Sequence, residues 1–188
     1  MSSVWKKLDT SSNSKFLKLD ARTQIRFGSD PVIMGIHVEE DMVGNKKRVN
    51  CPGVGCPLCK AGKVPTKRYI AKVINRADGQ AYILECGVMI MKEVKRYVFE
   101  PGFGDPITYD IVITKTGSEK QTQYEVLALP DKSAITERES QDLAELDISG
   151  YVKMNSIEDI KSMGFKAVPL EVIRHEPELV QDSDWDEL

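Results

Sequence analysis

Three of the four cysteines fall within nine residues, Cys51-Pro-Gly-Val-Gly-Cys56-Pro-Leu-Cys59. A Cys-x-x-Cys pair lets two thiolates grip one metal ion from a tight turn, and Gly53 and Gly55 let the backbone fold a third thiolate back onto it. Zinc takes four tetrahedral ligands, commonly thiolate sulfur with imidazole nitrogen. Two residues compete for the fourth place. Cys86 closes a run of β character, Tyr82-Ile83-Leu84-Glu85, where a cysteine is more often plain core. His37 ends a strand-like run where the cysteine-bearing excursion begins, so it is the preferred ligand. The expectation is one structural zinc on His37, Cys51, Cys56 and Cys59.

The same residues admit an enzymatic reading. His37-Val38-Glu39 followed by Cys56-Pro-Leu-Cys59 imitates the H-x-E…P-C-x-x-C pattern of zinc deaminases, whose glutamate shuttles protons. Gly55 stands where that pattern has proline, and Cys51 as a further thiolate leaves no open position for water. The Gly-, Lys- and Arg-rich segment between is not a helical scaffold. A redox role for Cys56 and Cys59 would want a βαβ pattern nearby, and none is seen. There is no Walker loop, and His175 is the other histidine, so nucleophilic catalysis finds no partners. The chain reads as a binding protein, not an enzyme.

Composition narrows the setting. Apolar residues make up 41 % of the 188, as in a globular protein, and no run approaches a membrane span. The start, Met1 to Lys7, lacks the apolar stretch of a secretory signal, which points to a reducing cytoplasm and free thiols. The net charge of −3 hides an asymmetry. Residues 1–130 carry 20 Lys and Arg against 14 Asp and Glu, and residues 131–188 carry 6 against 15. That split suits a polyanion-binding body with an acidic tail, and equally an ordinary solvated surface.

Positioning those residues falls to mostly β elements. Residues 1–14 read as a flexible arm. Extended segments are expected at Phe16–Leu19, Gln24–Phe27 and Val32–Val38, and the metal excursion spans about 37–65. Arg68–Asn75 and Tyr82–Cys86 flank Asp78-Gly79, a hairpin signal. Val88–Phe99 switches to helical period, with Ile90, Met91, Val94, Tyr97 and Val98 on one face. Ile107–Lys115 and Thr122–Leu129 flank Gly117-Ser118. With the early segments taken as one strand, the order is strand, strand, strand, helix, strand, strand, that of a five-stranded OB-fold barrel over 15–130 with a zinc insertion between early strands. Residues 131–175 form a helical extension, with capping boxes at Thr136 and Ser156 opening helices near 136–146 and 157–163. Residues 176–188, with six acids and no base, read as a disordered tail.

An OB-like strand order carrying His37, thirteen residues, Cys51, four, Cys56, two, Cys59 resembles the zinc-containing single-stranded DNA-binding proteins of T-even bacteriophages. That family has the same ligand order with a longer gap before its final pair. Ile25-Arg26-Phe27-Gly28-Ser29-Asp30-Pro31, Cys51-Pro52-Gly53 and Gly104-Asp105-Pro106 are similar to stretches of smaller phage proteins of this type. The resemblance implies single-stranded DNA as ligand, a role in replication, recombination or repair of a phage genome, and the cytoplasm of an infected host cell. The family's basic N-terminal arm is only faintly echoed by Lys6-Lys7, so self-association on DNA stays open. A zinc-ribbon transcription or adaptor module docking on a polymerase is the competing class.

A single-strand binder needs cations for the backbone and ring faces for the bases. Arg68, Lys72 and Arg76 share one side of a strand by period two, with Arg26 and Lys115 on neighbouring strands. Tyr69, Tyr82, Tyr109, Tyr124 and Phe103 are the candidate rings. Tyr69 points away from Arg68 and Lys72, and Tyr109 shares its face with Ile111 and Ile113, which favours core; Phe103, in a glycine-rich loop, ranks above the strand rings. In the tail, Trp185 and Leu188 do not fit pure solvation and resemble apolar tail tips that insert into replication or recombination partners.

Overall fold

A computed structural model describes residues 15–118, 121–130 and 133–166. The expected arm and acidic tail, with Trp185 and Leu188, lie outside the described residues. In chain order the strands are β1 (Arg22–Phe27), β2 (Val32–Glu40), β3 (Lys46–Asn50), β4 (Thr66–Asn75), β5 (Gln80–Gly87), β6 (Asp110–Thr116) and β7 (Gln123–Ala128). The helices are α1 (Pro57–Lys60), α2 (Val88–Val98), α3 (Glu137–Glu145), α4 (Ser149–Val152) and α5 (Ile157–Ser162). The chain forms two compact units, one of residues 15–34 and 67–152, the other of 35–66 and 153–166. No helix among the described residues is long and apolar enough to cross a membrane.

In the first unit the strands pair antiparallel in the order β5-β4-β1-β6-β7. Alternation decides what faces inward. Ile25 and Phe27 of β1, Ala71 and Val73 of β4, Leu84 and Cys86 of β5, and Ile111 and Ile113 of β6 form one core. Ile90, Val94 and Tyr97 from the apolar face of α2 complete it. Within this unit the succession is three strands, helix and two strands, but the early segments are not the one strand expected: β1 and β2 are separate strands. The five-stranded barrel is not formed: among the described residues no pairing joins β5 to β7, so the sheet stays open. Helix α2 packs against both of these edge strands, and Tyr97 donates its hydroxyl to the Val126 carbonyl at 3.3 Å.

Two local expectations change. Phe16–Leu19 is not a strand but a single parallel bridge from Phe16 to Ile83. Strand β3 arises inside the stretch read as irregular, because Lys46-Lys47-Arg48-Val49-Asn50 has one apolar residue and no visible alternation. Its extended form comes from pairing with β2, Val38 opposite Arg48 and His37 opposite Val49. The two capping boxes do form: Thr136 with Glu139 opens α3, and Ser156 with Asp159 opens α5.

The outward side of the first unit's sheet carries a buried charge network. Arg26 is 1 % exposed and its Nε donates to Asp110 at 2.7 Å, while its Nη1 donates to the Ser133 carbonyl at 2.7 Å. Arg76 donates to both Asp110 oxygens at 3.0 Å and to Glu139 at 2.6 Å. Gln24 adds a bond to Asp110 at 2.9 Å. One carboxylate thereby ties β1 to β4 and β6, and Glu139 ties β4 to α3. Removing Asp110 leaves two largely buried guanidiniums without the carboxylate they share. Asp110→Ala should therefore lower unfolding free energy by about 3–5 kcal/mol in urea titration. A loss under about 1 kcal/mol would mean these pairs behave like exposed ones.

Candidate functional site

The second unit is built around the three cysteines and His37. Strand β2 places His37 opposite Val49 of β3, and Cys51 follows β3 directly, its amide donating to the Gly35 carbonyl at 2.8 Å. The chain then reverses through Gly53 and Gly55, with φ of +75° and +80°, a region that costs other residues strain. The reversal brings the Cys56 amide to the Gly53 carbonyl at 3.2 Å. Pro57 starts α1 with its preset φ, and the single turn carries Cys59. Leu58, Val49, Ile160 and Phe165 pack beside the cysteines as this unit's core. A Cβ at Gly55 would sit 2.9 Å from Ile157 Cδ1, so this position is held by space as well as by φ.

These elements bring four donor atoms together. His37 Nε2 lies 3.4 Å from Cys59 Sγ and 3.7 Å from Cys56 Sγ, and Cys51 Sγ lies 3.5 Å from Cys59 Sγ. All four lie within 4.8 Å of one another. A tetrahedral ion with sulfur ligands at about 2.3 Å needs donor separations near 3.5–3.8 Å. The three separations of 3.4–3.7 Å fit, and the cysteines are free thiols. The donor set can hold one metal ion. Cys86, the rival fourth ligand, lies outside this group, buried in the β-sheet core of the first unit.

Burial sets the protonation of the donors. It lowers the His37 pKa, against a smaller opposing effect of Glu39, so the imidazole is kept neutral and free to ligate. Burial raises the Cys51 thiol and pushes Cys59 up to about 12. Without metal these thiols keep their protons at neutral pH, and an incoming ion must displace them. Affinity must then rise with pH. In a chelator-competition titration with Zn2+ as probe, affinity should climb from about pH 6 to about pH 8, by up to tenfold per pH unit for each proton released. His37→Ala should lose the tight site and Cys86→Ala should keep it. Retention in His37→Ala, or a pH-independent affinity, contradicts this assignment.

The cations and rings singled out for nucleic acid end in different places. Arg26 and Arg76 are committed to Asp110 and Glu139, and Lys72 Nζ donates to the Leu143 carbonyl at 2.9 Å. Ile70 and Ile74, on the same outward side of β4, are fully buried, so this is an internal surface and not an open groove. Period two had shown which side the cations share, but not that α3 lies against it. Arg68 is half-buried, 3.8 Å from Glu85. Tyr109 is buried, and Phe103 packs edge-on against Tyr97 and Tyr109 at 5.2 and 5.3 Å. Tyr69 is packed on the core, and Tyr82 donates its hydroxyl to Asp78 at 2.8 Å. Lys115 and Tyr124 are brought together as register partners on β6 and β7, Tyr124 being 39 % exposed. Sequence reasoning missed Phe99, which is 76 % exposed at the end of α2. Its signal was available: it follows the last turn of an amphipathic helix whose apolar face was already full.

The chain is 34 % identical over 62 residues to a "Probable ssDNA-binding protein" of Escherichia phage T5. The match spans 33 % of this chain and 24 % of that relative. No family model matches the chain, and no solved structure does. A partial similarity to a phage protein carrying that name thus stands beside a four-donor cluster able to hold a metal ion in a mainly β chain.

Proposed function

We propose that this chain binds single-stranded DNA of a phage genome in replication, recombination or repair, with one structural zinc in its second unit. The observation that carries the reading is the similarity to the phage T5 relative, and the Cys3His cluster supports it. Zinc is the ion of choice because mixed thiolate and imidazole donors at tetrahedral spacing suit it, while hard cations want oxygen. The strand order of the first unit supports an OB-like platform whose open seam is covered by α2. Lys115 and Tyr124 pair a cation with a ring, the two groups a single strand needs.

The acidic residues 176–188 are the part of the chain that opposes DNA, with Trp185 and Leu188 offering apolar tips to replication or recombination proteins. Deaminase chemistry fits poorly: four protein donors fill the tetrahedron, and Glu39 is paired with Lys63 at 3.4 Å. The adaptor reading has one observation in its favour. The second unit exposes Met42, Val43, Val54 and Val64 at 68–88 %, side chains suited to a protein surface.

Titration of labelled oligo-dT, competed with duplex and RNA, separates these readings. Saturable binding to oligo-dT, weakened by salt and poorly competed by duplex, is expected. Equal preference for duplex, or no binding, contradicts the proposal. Truncation after His175 should tighten binding at low salt and leave it unchanged at high salt, where carboxylates are screened.

A further inference from the structure

Helix α2 presents a second surface with the chemistry of a strand-binding platform. Its buried face is Ile90, Val94 and Tyr97. At 100° per residue, Met89, Lys92, Lys95, Arg96 and Phe99 fall on the opposite side, within one third of the helix circumference. Met89 is 72 % and Phe99 76 % exposed, and the three cations between them are exposed. Arg96 is paired with Glu93 at 3.4 Å and lies over the Tyr97 ring at 5.0 Å. Among the described residues Lys92 and Lys95 take part in no ion pair, and Phe99 in no ring pair. An apolar stripe alone would suit any partner. A free ring one turn beyond Lys95 and two turns beyond Lys92 suits alternating bases and phosphates. The rise from Lys92 to Phe99 is about 10 Å, enough for a short run of nucleotides.

We infer that α2 is a contact site for single-stranded DNA, with a base stacked on Phe99 and phosphates held by Lys92 and Lys95. This rests on the single-strand reading above and adds a surface outside the β-strands. It also accounts for an exposed phenylalanine at a helix end that could have carried a polar residue at no cost to the core.

The test compares the full chain with Phe99→Ala, Phe99→Trp and the double change Lys92→Gln with Lys95→Gln, titrating labelled oligo-dT at several salt concentrations. Melting temperatures of all three should match the parent, since none of these side chains is buried. Phe99→Ala should weaken binding by between about fivefold and a hundredfold with the salt slope unchanged, and Phe99→Trp should restore it. The double lysine change should reduce the slope by about 1.4. If the parent chain binds oligo-dT and Phe99→Ala and the lysine change leave affinity and slope alone, the α2 site is wrong and the single-strand reading stands. If the parent does not bind, that reading itself fails. Tighter binding by Phe99→Ala at low salt would overturn the proposal in favour of α2 as a seat for the chain's own acidic tail.

Discussion

The second unit depends on bringing together four donor atoms whose contacts are almost all with one another, the exception being the Gly53 amide, which donates to Cys51 Sγ at 3.4 Å. Its core is Val49, Cys51, Cys56, Leu58, Ile160 and Phe165, too little apolar surface to hold a unit of this size against chain entropy. Two of those six are thiols. His37 Nδ1 is buried without a hydrogen-bond partner among the described residues, and its Nε2 meets only sulfur. Weak S–H bonds at 3.4–3.7 Å stabilise little. An ion in the middle converts the same geometry into four strong bonds, and its binding free energy becomes folding free energy. The knuckle glycines, Pro57 and the pairing of β3 with β2 all serve to deliver donors to that point.

Desolvation of charge governs the first unit in the opposite way. Arg26 and Arg76 are held by Asp110 and Glu139 with bonds of 2.6–3.0 Å, and a phosphate reaching them would have to break that network first. Buried guanidiniums are costly without partners, so those cations serve architecture. On the proposed function, the cations that remain solvated and the rings that remain unpacked are Lys115 with Tyr124 and the outer face of α2.

Much of this was legible in the residues themselves. Ligand order and spacing gave the metal cluster, because Cys-x-x-Cys fixes a local geometry that tertiary packing cannot rearrange. Alternation and the 3.6 period located β4, β5, α2, β6 and β7, and the two capping boxes marked α3 and α5. What escaped depends on long-range pairing. Strand β3 is polar and exists through β2. The open seam between β5 and β7 is a matter of sheet closure, which no local pattern encodes. The burial of Arg26, Lys72 and Arg76 comes from residues 133–146 folding back over them, more than sixty positions along the chain in every case.

The second unit is organised around the site formed by His37, Cys51, Cys56 and Cys59. X-ray absorption at the zinc edge, on protein expressed with zinc and purified without chelator, reads donor identity and distance directly. Three sulfur neighbours at about 2.3 Å and one nitrogen at about 2.0 Å are expected. Four sulfur neighbours would bring in Cys86 and contradict the placement of His37, and a shell of oxygen or an absent edge would remove the metal centre altogether.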